Sequence, residues 1–294
     1  PFRPHDVCAA FGSGSATPTT GNRQRFAADA KIIHTDLAPA EIAKTVESDV
    51  WLIGDAGRVL EAIMGAMRKK IADHSEWNKT LADIRRKEPM PHSSYEGEIA
   101  PWQALEAFCE ITDHKAIITT EVGQNQMWAA QHCKVEAPRR FLSSGGLGTM
   151  GFGFPAAIGA AYACPGQTVC CVAGDGSLMM NIQELDTCAR YNIPVKIMLL
   201  NNACLGNVRQ WQYLFYNCRY SNTIYTRNPD FVALSESMGV PAFSVSSPGE
   251  LRPAIEKMLA EPGPALLDVR IPQGAMVLPM VYPGDSIDNM VSTL

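Results

Sequence analysis

The sequence contains no apolar run of about 18 residues, the length that a membrane-spanning helix requires, and residues 1–20 hold Gly, Ser, Thr and Pro without an apolar core of signal-peptide length. A cytoplasmic protein without a membrane span is expected, or an organellar one in a eukaryote. Long Lys/Arg runs are also missing and the formal net charge is -5, which argues against nucleic acid or an anionic membrane surface as partner. Small acidic molecules stay open, because a local site overrides the net sign. The nine cysteines form no C-x-x-C pair and no regular framework, as suits free thiols in a reducing compartment. None of the six histidines stands at ligand spacing from a Cys or another His, so a zinc site is not expected. Charged residues make up only 19% against 46% hydrophobic ones, enough apolar content for one large or two medium domains in 294 residues.

Apolar periodicity divides the chain. Lys31 to Asp36 and Val50 to Ile53 read as strands, Pro39 to Val46 and Gly57 to Lys70 as helices, a βαβα fragment. Residues 85–101 are charged and carry proline, which marks a surface linker, and Pro101 suits a first helical turn. Beyond it, Ala116 to Thr120, Thr168 to Ala173, Val195 to Leu200, Val240 to Val245 and Ala265 to Ile271 read as buried strands. Helices are expected over Gln103 to Ile111, Gly153 to Ala163, Met180 to Tyr191, Val208 to Tyr216, Asp230 to Met238 and Glu250 to Leu259. This alternation predicts an α/β fold, a parallel sheet with helices on both faces, preceded by a partial α/β domain. The expected boundaries are 1–75 for the partial domain, 76–100 for the linker and 101–294 for the second domain.

Ligands of open α/β sheets sit beyond the carboxyl ends of the strands. There the sequence places Gly174-Asp175-Gly176-Ser177, whose glycines let backbone N–H groups approach an anion and whose aspartate can meet a cation. Asn201-Asn202 follows one helix and one strand later, so adjacent strands would set the two loops side by side. Asp175, the Asn202 side-chain carbonyl and the backbone carbonyl of Cys204 form a hard oxygen set suited to Mg²⁺ that carries a diphosphate. Taken singly, each loop is an ordinary turn with a helix cap. Gly146-Leu147-Gly148-Thr149-Met150-Gly151 fits G-x-G-x-x-G after a short strand at Arg140 to Ser143, which raises a dinucleotide reading. Against it, the acidic residue stands inside a Gly-Asp-Gly turn and the Asn pair has no role with a ribose.

Gly174-Asp175-Gly176 followed by Asn201-Asn202 resembles the thiamine diphosphate motif. Within that superfamily, Gly123-Gln124-Asn125-Gln126-Met127-Trp128, the run Ser144 to Gly153, Asn181-Ile182-Gln183-Glu184-Leu185, Gln210-Trp211-Gln212 and Leu278-Pro279-Met280-Val281 resemble the acetolactate synthase large subunit. The resemblance covers about residues 100–285. It implies a thiamine diphosphate-binding fold that takes two 2-oxo acids such as pyruvate, releases CO₂ and forms acetolactate or acetohydroxybutyrate. It implies that Gln124, Asn125 and the loop Gly174, Asp175, Gly176 and Ser177 hold the diphosphate, with Asp175, Asn202 and Cys204 on Mg²⁺. Met150 would wedge under the bent cofactor, the Gly148 carbonyl would accept from its aminopyrimidine, and Trp211 would line the acceptor pocket. Spacing alone makes Met150 and Trp211 core residues.

Residues 31–60 resemble the end of the family's central, FAD-holding domain, with Asp36 and Asp55 as ribose or adenine contacts. The chain departs from the family at Asn125 (usually His), Ala38 (Asp) and Asn207 (Met). The family's N-terminal domain, which carries a glutamate that protonates the aminopyrimidine, has no counterpart in these residues. A homodimer, or assembly with a chain supplying that domain, is therefore expected, together with a possible regulatory subunit and little turnover by the chain alone. The alternatives are another thiamine diphosphate-dependent decarboxylase or oxidase, or a non-catalytic subunit.

Overall fold

The computed structural model describes residues 6–13, 20–67, 73–87 and 89–293. The chain divides into two compact units, Pro1–Pro91 with Leu278–Leu294, and His92–Val277. The expected boundary at residue 101 and the assignment of all of 101–294 to one domain differ from this division: the C-terminal segment groups with the first unit.

In the first unit, β1 (Val7–Phe11), β2 (Lys31–Asp36) and β3 (Val50–Ile53) form a parallel three-stranded sheet in that order. The sequence reading did not anticipate β1, and most of residues 1–20, read for a leader, lie outside the described residues. The helix expected over Pro39 to Val46 is a single 3₁₀ turn, Pro39–Glu41. Ala43, at φ 56, has left the helical region, so no α-helix can run through it. Helix α1 (Ala56–Ala66) starts on an Asp55 cap, while its expected end at Lys70 lies outside the described residues. A helix also occupies part of the expected linker: α2 (Ser75–Lys87) ends in Arg85, Arg86 and Lys87, favourable at the negative end of the helix dipole. Charge content disguised a helix with an exposed face as a loop. At the other end of the sequence, β10 (Met280–Val281) and β11 (Met290–Val291) pair antiparallel.

The second unit is the doubly covered sheet that the alternation predicts. Helix α3 (Pro101–Ile111) leads into β4 (Ile117–Thr120), α4 (Gln124–His132), β5 (Phe141–Ser143), α5 (Gly153–Ala163) and β6 (Val169–Gly174). The single turn α6 (Asp175–Leu178), α7 (Glu184–Tyr191), β7 (Val195–Asn201) and α8 (Gly206–Phe215) follow. The unit closes with α9 (Phe231–Ser237), β8 (Ala242–Val245), α10 (Leu251–Ala260) and β9 (Ala265–Arg270). All strands are parallel, in the order β5-β4-β6-β7-β9-β8.

Strand period two sends alternate side chains to opposite faces. Val169, Cys171 and Ala173 of β6 and Val195, Ile197 and Leu199 of β7 join Phe154, Leu185 and Phe231 from α5, α7 and α9 in one core. The intervening Cys170, Val172, Met198 and Leu200 are equally buried. Burial on both faces explains why these strands read as unbroken apolar runs. From β4 the chain moves one way to β5 and then back across to β6, on the other side of β4. Such a reversal opens a crevice at the carboxyl ends of the two strands, and that is where an α/β sheet accepts a ligand.

Candidate functional site

A cavity of about 120 Å³ lies in the second unit, lined by Asn125, Met150, Asp175, Asn202 and Cys204 among others. Gln124, Gly174, Gly176 and Ser177 also line it. Tertiary structure therefore brings together nine of the residues singled out in the sequence. Because β6 and β7 are hydrogen-bonded neighbours, with Gly174 opposite Leu200, the loops after them stand side by side.

A relay of buried amides fixes the orientation of Asn202. At its far end, the Val277 N–H donates to Gln210 Oε1 (2.8 Å) and Gln210 Nε2 donates to the Val277 carbonyl (2.7 Å). Backbone groups cannot exchange donor and acceptor, so Gln210 Oε1 is settled as an acceptor. It receives Gln124 Nε2 at 2.8 Å, and the same nitrogen donates to the Ala275 carbonyl at 2.9 Å. Gln124 Oε1 is thereby left to accept Asn202 Nδ2 at 3.0 Å. Asn202 Oδ1 is then the atom available to a cation. The Gln124 side chain is thus engaged within the protein and acts by orienting Asn202.

Between Asn202 and Cys204 the chain turns through Ala203 at φ 53, a left-handed conformation uncommon for a residue with a Cβ and typical of functional loops. The adjoining bonds use the Ala203 carbonyl, which accepts from Tyr225, and the Leu205 N–H, which donates to Thr223, rather than the Cys204 carbonyl. The Cys204 thiol faces the Gln273 carbonyl. Gly206 lies so close beneath this turn that a Cβ there would come within 1.9 Å of Gln124 Oε1.

Asp175 is 2% exposed. Asn228 Nδ2 donates to its Oδ2 at 2.7 Å and the Gly176 N–H to its Oδ1 at 3.0 Å. Burial pushes the carboxyl up to about 6, against the pull of these donors and of the Ala203 N–H. Such a carboxylate lacks a countercharge, which a divalent ion would supply. Asn201, the other half of the pair, bonds Asp268 across to β9 (3.0 Å) and also accepts from Asn228 (3.0 Å).

Asn125 Oδ1 and Asn207 Oδ1 are buried without a hydrogen-bond partner. Both residues line the cavity. Asn125 Nδ2 faces Gly174, where a Cβ would come within 2.9 Å of it, so the amide N–H already stands beside the loop after β6. One carboxylate, one amide oxygen and one backbone carbonyl, with unpartnered polar atoms beside them, fit Mg²⁺ and a diphosphate.

Glu121 was not anticipated from the sequence. It is fully buried, and its two oxygens accept from the N–H groups of Gly151 (2.7 Å) and Phe154 (3.1 Å). Burial raises its carboxyl above the usual range, opposed by these N–H groups. Asn181 Nδ2 holds the Gly151 carbonyl at 2.6 Å, so the turn after Met150 is clasped from two sides. An acidic residue directly after a buried strand was the available signal for Glu121; Gln210 stood in the Gln210-Trp211-Gln212 motif without a role of its own, and Asn228 carried no signal.

The remaining candidates stand differently. Gly148, at φ 64, is not among the lining residues; a Cβ there would lie 4.0 Å from the Val122 side chain, which is, so Gly148 stands at the rim. Met150 is half-buried rather than core. Trp211 is 36% exposed and meets Phe215 edge-on, which removes the reading of it as core filler, although it does not line the cavity. In the first unit, Asp36 accepts from the Ala38 N–H (2.8 Å) and Asp55 from the Arg58 N–H (3.1 Å). A cavity of about 260 Å³ in that unit is lined by Cys8, His34 and Ser48 among others, and not by Asp36 or Asp55. Both aspartates thus have local backbone roles, and they do not fit an FAD contact in that cavity.

A six-stranded parallel sheet flanked by helices, whose neighbouring strand ends bring a buried carboxylate and an oriented amide into one cavity, defines an α/β protein with its candidate site at the carboxyl edge of the sheet. The chain belongs to the thiamine pyrophosphate enzyme family: residues 121–269 match its C-terminal TPP binding domain, and residues 2–63 match its central domain. Among curated relatives, "Acetolactate synthase 1, chloroplastic" of Oryza sativa subsp. japonica is 42% identical over 97% of this chain and 46% of its own length. "Probable acetolactate synthase large subunit" of Methanocaldococcus jannaschii is 42% identical over 98% of this chain and 50% of its own. "Acetolactate synthase 2, chloroplastic" of Zea mays is 41% identical over 97% and 47%. The chain spans about half the length of these relatives. Among the described residues, no helix is long and apolar enough to cross a membrane.

Proposed function

We propose that this chain supplies the Mg²⁺- and diphosphate-holding half of a thiamine diphosphate site in an acetolactate synthase-type carboligase. The substrates would be pyruvate and a second 2-oxo acid, and the products acetolactate or acetohydroxybutyrate. The observation that carries the reading is the amide relay from Val277 to Asn202, which leaves Asn202 Oδ1 free in the cavity that Asp175 also lines. The family match and the acetolactate synthase relatives support it.

Thiamine diphosphate, when bound, supplies the electron sink for loss of CO₂ from the first oxo acid and for carbon–carbon bond formation with the second. The protein supplies binding and orientation. Asp175, Asn202 Oδ1 and the Cys204 carbonyl would hold Mg²⁺. Asn125 and the N–H groups of Gly174 to Ser177 would take the diphosphate, Met150 would support the cofactor from beneath, and the Gly148 carbonyl would accept from its ring amine. Glu121, by clasping Gly151 and Phe154, keeps the Met150 turn in place. Trp211 would face the acceptor acid. A homodimer, or a partner chain carrying further residues of the cleft, belongs to the same proposal, as does a regulatory subunit.

Calorimetric titration with thiamine diphosphate in the presence of Mg²⁺ tests the reading. Asp175→Ala removes the only anionic ligand, so metal-dependent binding should disappear; unchanged affinity would refute the assignment. Product analysis separates the carboligase from a decarboxylase or oxidase, which would yield an aldehyde or acetyl phosphate.

A further inference from the structure

Away from the cofactor cavity, three side chains of the second unit converge. His92 Nε2 lies 2.9 Å from Glu106 Oε1, and His132 Nδ1 lies 3.1 Å from the same oxygen. The ligand atoms of all three residues fall within 4.8 Å of one another, the one such group of His, Cys, Asp and Glu among the described residues. We propose that His92, Glu106 and His132 form a binding site for a divalent first-row transition ion of the Zn²⁺ type.

The donor set is chemically selective. Two imidazoles and a carboxylate suit Zn²⁺ and its neighbours, whereas Mg²⁺ and Ca²⁺ take oxygen alone. At metal–ligand distances near 2.0–2.1 Å, tetrahedral ligands lie about 3.3 Å apart. Spreading the two close contacts to that separation requires shifts of a few tenths of an ångström, and the two imidazole nitrogens, which lie within 4.8 Å of each other, must come to the same spacing.

The site is also held before any ion arrives. His132 stands at the C-terminal end of α4 with its side chain 4% exposed, and Glu106 comes from α3. His92 packs edge-on against Trp102, with ring centroids 4.5 Å apart, while Trp102 Nε1 donates to the Ser93 carbonyl at 2.8 Å. Three protein ligands leave a fourth position for water, reached from the side of His92, whose side chain is 48% exposed.

Such an ion would tie residue 92 and α3 to one end of α4, whose first residues, Gln124 and Asn125, line the cofactor cavity at its other end. The site does not depend on the thiamine reading, since it shares no residue with that cavity.

The test uses the full chain with zinc chloride, in competition with a chromogenic chelator and with Mg²⁺ in excess. One equivalent of Zn²⁺ should bind, and Asp175→Ala should keep that affinity. His92→Phe retains the ring contact with Trp102, and Glu106→Gln retains a hydrogen-bonding carbonyl, so both preserve the fold. Each should weaken Zn²⁺ binding tenfold or more. Co²⁺ substitution should give visible d–d bands without thiolate charge transfer. Absence of binding, a loss below tenfold in either variant, or a cobalt–thiolate band from cysteines such as Cys109 and Cys133 would overturn the proposal.

Discussion

The two units treat apolar surface in opposite ways. In the second, every residue of β7 is buried, and helices cover both faces of the sheet. In the first, every residue of β3 is exposed, Trp51 to 57%, and neither α1 nor α2 has a buried residue. A three-stranded sheet with sparse cover is near the lower limit of independent stability, whereas the packed second unit can hold a buried carboxylate and a chain of amides in fixed orientation. Chemistry that relies on atoms held to within a few tenths of an ångström belongs to the closed unit.

Substitutions can sharpen or break that contrast. The largest effect is expected at Asp175. Its folded pKa of about 6 lies above the ordinary 3.8, so the apo chain loses stability as pH rises from about 4 to about 6 and regains it as pH falls. That cost is about 3 kcal/mol at full ionisation. Asp175→Asn should therefore make the Mg²⁺-free second unit up to about 3 kcal/mol more stable at pH 8 while abolishing its Mg²⁺ response, as read by urea unfolding across pH. A destabilised variant would show that the carboxylate is structural. Gly206→Ala should cost about 2–3 kcal/mol, because its Cβ meets Gln124 Oε1. A variant as stable as wild type would mean that the relay is loose.

Gln210→Leu leaves Gln124 Nε2 and the Val277 N–H short of an acceptor, at a cost of about 2 kcal/mol. It should also weaken Mg²⁺-dependent thiamine diphosphate binding, although Gln210 does not line the cavity. Intact affinity in calorimetry would disconnect the relay from the site. In the first unit, Asp55→Ala should cost about 1 kcal/mol through loss of the α1 cap, seen as faster amide exchange confined to that helix. Trp51→Lys should change stability by less than about 0.5 kcal/mol, because the residue is 57% exposed on the edge strand β3. A large stability loss there would show that β3 is better buried than its exposure indicates.

How legible each part was follows from the range of the forces involved. The five apolar runs of the second unit appear as strands within two residues of their expected ends, because burial on both faces excludes polar residues from them. Asp175 and Asn202 were legible because one helix and one strand separate them, and neighbouring strands then align their loops. The 3₁₀ turn at Pro39–Glu41 was not, since nothing in its composition marks the left-handed backbone at Ala43. Helix α2 was hidden by its charge, because a solvent-facing helix and a solvated linker use the same residues. Glu121 lay beside a motif already in hand, but its partners at Gly151 and Phe154 are about thirty residues away.

By itself the sequence determined the alternation of strands and helices, the loops that carry the carboxylate and the amide, and the family those loops resemble, because all of these rest on local patterns of burial and turn chemistry. Tertiary structure alone decided which amide faces which, that Asn202 is aimed by a glutamine 86 residues from its own partner, and that two histidines 40 positions apart meet on one glutamate. Hydrogen-bond polarity and ligand convergence depend on distances through space, and spacing along the chain carries no record of them until the sheet and its helices have closed.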